Sequence, residues 1–129
     1  MSEIPEGLLY TEEHEYLKPA DEEGTFFVGV TDYAQGELGD VVYIELPEVG
    51  ASFKGMEPFG TIEAVKAVSD LFCPVSAEVL AVNGGLDEDP AVVNSDPYGD
   101  GWMIKIRVHS AQELTKLMDA AAYASHLGA

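Results

Sequence analysis

A single lysine, Lys66, lies in the stretch EAVKAVSD among small apolar residues and between two acids, Glu63 and Asp70. It is the only basic residue between Lys54 and Lys105 in a chain with 24 acidic and 6 basic residues. A turn lysine without a role is the ordinary interpretation of such a residue. The absence of any other base nearby, and the two acids that keep the amine exposed without burying it, instead favour covalent attachment of a prosthetic group. Acylation would remove the charge of the amine, so the cationic form of Lys66 need not be its working form.

The surroundings of Lys66 are weakly symmetric. A predicted strand, VVYIEL, ends in a turn at Gly50, 66 − 50 = 16 residues before the lysine, and AEVLAV ends at Gly84, 84 − 66 = 18 residues after it. If these units pair as a flattened barrel or sandwich, the midpoint is a hairpin turn that projects into solvent.

Short alternating or apolar runs, each closed by Gly, Pro, Asp or Asn, predict a mainly β, antiparallel domain. The predicted strands are Tyr16 to Lys18, Thr25 to Thr31, Val41 to Leu46, Phe59 to Ala64, Leu71 to Cys73, Ala77 to Val82 and Trp102 to Val108.

Two helices are predicted. Asp32 and Gln35 have capping-box spacing, and Gly39 limits the helix that follows to a short one. Ser110 and Glu113 repeat that spacing before an apolar stripe with helical periodicity. We therefore predict a single domain over residues 1–129, with a core at about 25–108 and a C-terminal helix at about 110–125 that docks on the sheets.

The segment NGGLDEDPAVVNSDPYGDG contains so many turn-forming residues that we predict a long exposed loop. Its acidic cluster, Asp87 to Asp89, resembles part of a calcium loop. However, Ala91 and Val93 stand where further oxygen ligands would be needed, so we interpret the cluster as solvated.

Composition excludes several classes of function. The formal net charge of −18 would repel phosphate backbones and anionic lipid, so neither nucleic acid nor a membrane is an expected partner. No apolar run approaches the roughly 20 residues of a spanning helix. The start, MSEIPEGLLYTEEHE, carries no export signal, and we expect a cytoplasmic protein. The single Cys73 cannot form an internal disulfide or support a structural zinc site.

Enzyme motifs are mostly missing. The chain has no GxSxG, Walker or GxGxxG motif, and HEYLK lacks the second histidine of HExxH. We predict that the protein is not an enzyme and binds no metal.

The stretch GTIEAVKAVSDLFCPVSAEV, with GVTDYAQGELGDVVYIELPEVG upstream and VNSDPYGDGWMIKI downstream, closely resembles the H-protein family of the glycine cleavage system. The resemblance runs from GLLYTEEHEYL to the terminal segment. It implies a barrel-sandwich hybrid of two small antiparallel sheets, with lipoic acid in amide linkage to Lys66.

The family implies a non-catalytic shuttle. Its lipoyl arm takes an aminomethyl group from glycine decarboxylase (P protein), passes it to aminomethyltransferase (T protein), and is reoxidised by dihydrolipoamide dehydrogenase (L protein). A lipoate ligase or lipoyltransferase would attach the arm. We expect a monomer.

The resemblance also implies roles for three acids. Glu63 would be recognised by the ligase, and Glu15 and Asp70 would line a cleft for the aminomethyl-loaded arm. Without the resemblance, Glu15 could equally be an exposed strand acid with no role in binding, and Asp70 could equally be a turn-forming residue. Two residues depart from the family pattern, Tyr33 for a common histidine and Ala77 for a common glycine.

Other functions remain open. A lipoylated domain could instead act as a donor or scaffold in lipoate metabolism, and an acidic interaction module could leave Lys66 unmodified. Biotinyl domains carry methionines beside the modified lysine, where Val65 and Ala67 stand here. Lipoyl domains of 2-oxo acid dehydrogenases usually carry the sequence DKA at the modified lysine and lack the N-terminal extension and final helix.

Overall fold

A computed structural model describes residues 3–128, which fold as two antiparallel sheets with short helices at their edges. The strands of the larger sheet are β1 (Leu9–Tyr10), β2 (Glu15–Pro19), β3 (Thr25–Val30), β5 (Ser52–Phe53), β8 (Ala77–Val82) and β9 (Ile104–Val108). Those of the smaller sheet are β4 (Val41–Glu45), β6 (Pro58–Ala64) and β7 (Val68–Phe72). The larger sheet has the order β1-β2-β3-β9-β8-β5 and the smaller one β4-β6-β7. The prediction of a mainly β fold with two antiparallel sheets is confirmed.

The core lies between the two sheets. Alternate residues of each strand point inward, so Ile104 and Ile106 of β9 are fully buried, while Arg107, the next residue after Ile106, is exposed. Ile44 and Ile62 point into the core from the smaller sheet and are also buried. Burial of these side chains stabilises the sandwich by about 1.5 to 3 kcal/mol each.

A second cluster of aromatic residues joins the ends of the chain. Tyr10 and Tyr123 stack with ring centroids 4.6 Å apart, and both are fully buried. Tyr16 and Tyr98 pack in the same cluster. Trp102 lies outside this cluster, half-buried against Phe27.

Helix α1 (Asp32–Leu38) begins one residue earlier than the capping-box spacing indicates. Its N-cap is Thr31, whose Oγ1 accepts the N–H of Ala34 at 3.2 Å. The predicted pair still forms a contact, because Gln35 Nε2 donates to Asp32 Oδ1 at 2.7 Å.

The prediction of a long exposed loop at 83–101 is wrong. The segment contains α2 (Gly85–Glu88) and α3 (Val92–Ser95). Leu86, Val93 and Tyr98 are buried. Burial of these three side chains holds the segment against the sheets, although most of its residues are turn-forming.

The prediction of one C-terminal helix at 110–125 is also wrong. A 3₁₀ helix (Ala111–Lys116) and helix α4 (Ala120–His126) replace it. Between them Met118 forms a β-bridge with Tyr10, with N–H···O distances of 2.8 and 2.9 Å. Those two bonds take the backbone out of helical geometry, and a new cap at Asp119 starts α4.

The capping box expected at Ser110 does not form either. The Ser110 side chain makes no capping bond, and Glu113 Oε1 instead accepts the N–H of Ser76 at 3.0 Å. Glu113 therefore fastens the 3₁₀ helix to the turn before β8. Within residues 3–128 no helix is long and apolar enough to cross a membrane.

Candidate functional site

Lys66 lies at the tip of the hairpin that joins β6 to β7. The strands pair Glu63 with Val68, and the N–H of Ala64 donates to the carbonyl of Ala67 at 2.8 Å. The lysine is exposed. Neither of the two ion pairs found among residues 3–128 includes it, so its amine stands available for reaction.

The hairpin leans on the segment between α1 and β4. The N–H of Val65 donates to the carbonyl of Asp40 at 2.9 Å. The lysine stem lies over Gly39, since a Cβ at that glycine would come within 3.2 Å of Lys66 Cε and 3.3 Å of Cδ. The methylenes thus rest on bare backbone while the amine extends into solvent.

Apolar side chains surround the base of the hairpin. Val65 and Val68 are 72% and 67% exposed, and Val42 and Tyr43 on β4 are about half exposed. Tyr43, Glu63 and Val68 form one row across the outer face of the smaller sheet. Glu63 is therefore an exposed acid within an apolar surface close to the lysine.

A cleft of about 280 Å³ opens beside the hairpin, between the smaller sheet, β2 and α1. It is lined by Glu13, His14, Glu15, Val30, Tyr33, Ala34, Glu37, Leu38, Ile62, Ser69, Asp70 and Leu71. Both predicted cleft acids, Glu15 and Asp70, are thus brought together. A larger cavity of about 330 Å³ lies against the 3₁₀ helix and contains none of the predicted site residues.

Glu15 is buried, with 2% of its surface exposed, so the alternative of an exposed strand acid is wrong. Its Oε1 accepts the Thr11 hydroxyl at 2.7 Å, and its Oε2 accepts the N–H of Phe72 on β7 at 3.4 Å. Burial raises the pKa of the Glu15 carboxyl from 4.5 to about 8, against the opposing effect of these hydrogen bonds. No ion pair found among residues 3–128 includes Glu15, which leaves the carboxyl without a cation partner.

Asp70 differs from Glu15 in that its side chain is exposed, on the edge strand β7. The cleft therefore carries one acid in a low-dielectric floor and one at its solvent-facing rim. A cationic group that entered would meet a strong, poorly screened site and a weaker, salt-sensitive one.

The sequence did not indicate the polar network behind the cleft. His14 has a positive φ of 70°, and its Nδ1 lies 2.8 Å from the hydroxyl of Tyr123, which is also 2.8 Å from Thr31 Oγ1. Burial and the neighbouring His126 lower the pKa of His14. Tyr33 packs beside the His14 ring at 4.9 Å. The network links α4 to the wall of the cleft, a long-range contact that no local motif predicts.

Cys73 is fully buried, and its Sγ donates to the carbonyl of Val75 at 3.1 Å. Burial raises the pKa of its thiol to about 12. In that environment Cys73 packs as a small apolar residue of the core. Among the described residues there is no group of three or more His, Cys, Asp or Glu side chains able to hold a metal.

Two antiparallel sheets that display one lysine on a hairpin place the fold in the class of lipoyl- and biotinyl-type carrier domains. The glycine cleavage H-protein family model matches residues 8–128. The chain belongs to the glycine cleavage H-protein family, whose members are carriers in the glycine cleavage system and not catalysts.

Individual relatives agree. The glycine cleavage system H protein of Marinobacter nauticus is 53% identical over the whole chain and 98% of the relative. That of Chromobacterium violaceum is 52% identical over the full length of both. A crystal structure of a glycine cleavage system H protein from Mycobacterium marinum superposes with a TM-score of 0.88 at 37% identity, covering 98% of this chain and all of that one.

Proposed function

We propose that this chain carries lipoate in amide linkage to Lys66 and shuttles the aminomethyl group of glycine from the decarboxylase (P protein) to the aminomethyltransferase (T protein). Electrons pass to dihydrolipoamide dehydrogenase (L protein). The observation that carries the proposal is the exposed hairpin lysine beside a cleft floored by the buried Glu15.

The residues present fit a lipoyl group. Lys66 supplies an amine that takes part in no ion pair among the described residues, its stem is supported by Gly39, and the cleft beside it offers both apolar and acidic walls. When attached, lipoate supplies a dithiolane that accepts the one-carbon unit and, once reduced, returns two electrons. The protein contributes tethering, which raises the effective concentration of the arm at each partner.

Each acid has a separate task. Glu63 is exposed beside the hairpin, where a lipoate ligase or lipoyltransferase would meet it. Glu15 and Asp70 would attract the ammonium of the loaded arm. Because its pKa is about 8, Glu15 is mostly protonated at neutral pH in the empty cleft, and an arriving ammonium would favour its carboxylate.

Intact mass after co-expression with a lipoate ligase and lipoate tests the attachment. We expect one lipoyl amide, mapped by peptide analysis to Lys66, and none in Lys66→Arg. Lys54→Arg is the matched control, because Lys54 is another exposed turn lysine in the chain. An unmodified wild-type chain, or lipoate on Lys54, would contradict the proposal and favour the interaction module.

A reconstituted system tests the shuttle. Lipoylated chain, glycine, tetrahydrofolate, NAD⁺ and the P, T and L proteins should produce methylenetetrahydrofolate, NADH, carbon dioxide and ammonia, and omission of any one component should stop turnover. Lys66→Arg should be inactive while its free energy of unfolding changes by no more than about 0.5 kcal/mol, since the position is exposed.

A further inference from the structure

Asn94 lies in α3, within the segment that sequence analysis assigned to a loop, and it makes three hydrogen bonds. Its Nδ2 donates to the carbonyl of Gly39 and to Oε1 of Gln35, both at 2.9 Å, and its Oδ1 accepts the N–H of Val41 at 2.9 Å. Only one orientation of the amide satisfies these partners, because a carbonyl needs a donor and an N–H needs an acceptor.

These bonds fix the short segment 39–41 on which the lysine hairpin rests. Gly39 has a φ of 80°, which ends α1 and turns the chain into β4. Its own N–H donates to the carbonyl of Gln35 at 3.0 Å, and Asn94 binds its carbonyl, so both peptide groups that flank the Gly39 Cα are held. The neighbouring burial of Val93 anchors α3 in the core and gives the asparagine a rigid base.

Segment 39–41 then contacts the hairpin in two ways. Its Asp40 carbonyl accepts the N–H of Val65, and Gly39 supports the stem of Lys66. Segment 39–41 is therefore bonded to Asn94 on one side and contacts the hairpin on the other. It connects the asparagine to Lys66 without a direct contact between the two side chains.

We infer that Asn94 is a positioning residue that sets the direction in which Lys66 is presented to the enzyme that acylates it. This inference rests on the proposed attachment at Lys66 and adds a second residue to it. Loss of the asparagine donors would release Gly39, loosen the Asp40 to Val65 bond and spread the orientations of the amine. Acyl transfer needs the amine held near its attack geometry, so the rate of ligation would fall.

The test uses Asn94→Asp, which keeps the shape and the acceptor for Val41 but removes both donors. Asn83 offers a matched control. Its Nδ2 donates to the carbonyls of Asp100 and Trp102 at 2.8 and 2.7 Å, and its Oδ1 accepts the N–H of Gly85 at 3.2 Å. It is also half-buried, and none of these bonds reaches the hairpin.

Two measurements on the full chain separate positioning from general stability. The first is kcat/KM of purified lipoate ligase with each variant as acceptor. We expect about a tenfold loss for Asn94→Asp and less than a twofold change for Asn83→Asp, at temperatures where urea titration shows both folded. The second is hydrogen exchange of the Val65 amide, which should lose protection in Asn94→Asp only.

Equal loss of ligation in both variants, or no loss in either, would overturn the inference. A wild-type chain that takes no lipoate would defeat the proposed function instead, and Val65 exchange would still decide the role of Asn94.

If Asn94→Asp does not fold, Asn94→Ser and Asn83→Ser replace the pair, because serine removes the amide donors without adding a charge. A larger loss of ligation and of Val65 protection in Asn94→Ser supports the inference, and an equal effect of the two substitutions overturns it.

Discussion

The hydroxyl of Thr11 donates to Oε1 of Glu15 at 2.7 Å, and the N–H of Glu15 returns a bond to Thr11 Oγ1 at 3.1 Å. This reciprocal pair holds an acid at the floor of the cleft although burial opposes its ionisation. It also explains why the acid is tolerated, because a buried carboxyl needs hydrogen-bond partners.

The raised pKa of Glu15 predicts a specific pH dependence of stability. The unfolded chain loses this proton near pH 4.5 and the folded chain near pH 8, so the folded state binds more protons between these values. The contribution of Glu15 to the free energy of unfolding should therefore fall as pH rises from about 4.5 to about 8. The total loss is at most about 5 kcal/mol.

Urea titrations of wild type and Glu15→Gln across pH 4 to 9 measure this effect. The substituted chain should gain stability relative to wild type as pH rises and level off above about pH 8. Glu12→Gln, an exposed acid of the same segment, is the control and should run parallel to wild type. A constant difference between Glu15→Gln and wild type would show that the pKa of Glu15 is the same in the folded and the unfolded chain.

Cys73 should be inert in the folded chain. Its burial and its pKa of about 12 leave almost no accessible thiolate at pH 7, so a thiol reagent should modify it only after urea unfolding. Replacement of Cys73 by Ala should cost about 1 kcal/mol and leave the shuttle reaction intact. Rapid modification of native protein, or loss of turnover in both Cys73→Ala and Cys73→Ser, would contradict the packing role.

Tyr123→Phe should destabilise the protein by about 1 to 2 kcal/mol, because its hydroxyl bridges His14 and Thr31 at 2.8 Å each. His14 Nδ1 would lose that partner, and Thr31 Oγ1 would keep only the N–H of Ala34. The stacking on Tyr10 would persist. Urea unfolding measures the loss, with Tyr43→Phe as a control at a half-exposed tyrosine. Equal effects of the two substitutions would mean that the hydroxyl bridge contributes nothing.

Local pattern predicted the longer strands and the hairpin around Lys66 because alternation and turn residues act over a few positions. It missed the two-residue strands β1 and β5, which are too short to show alternation. It failed where distant segments meet. Met118 leaves helical geometry only because Tyr10 lies opposite it, and the burial of Glu15 depends on the N–H of Phe72 approaching from another sheet. The anchoring of α3 through Val93 was hidden by the turn-forming residues around it.

The candidate site was also predictable only in part. The isolation of Lys66 in an acidic chain is a compositional signal that needs no structure. The resemblance supplied Glu15 and Asp70, but only the fold separates them into a buried floor and an exposed rim. The residues that support the lysine, Gly39 and Asn94, carry no chemical signal of their own, since an amide and a glycine are common in turns.

The two cleft acids, Glu15 and Asp70, are expected to slow the breakdown of the loaded arm. If they hold its ammonium, Glu15→Gln and Asp70→Asn should each speed release of formaldehyde and ammonia from the aminomethyl-loaded carrier when the transferase is absent. About 1 kcal/mol of attraction at 4 Å in a high dielectric corresponds to roughly a fivefold change in rate, and the buried Glu15 should exceed that value. Reduction of the unloaded carrier should be unchanged, because the oxidised arm has no charge for the acids to attract.

Salt distinguishes the two acids. The effect of Asp70→Asn should shrink as ionic strength rises above about 0.1 M, where screening acts within about 10 Å, since that side chain is exposed. The effect of Glu15→Gln should persist, because the low-dielectric floor of the cleft is screened much less. Glu48→Gln, an exposed acid that does not line the cleft, is the control. Equal salt sensitivity of both cleft variants would place the ammonium at the rim, and unchanged release in both would assign the protection of the arm to apolar contacts alone.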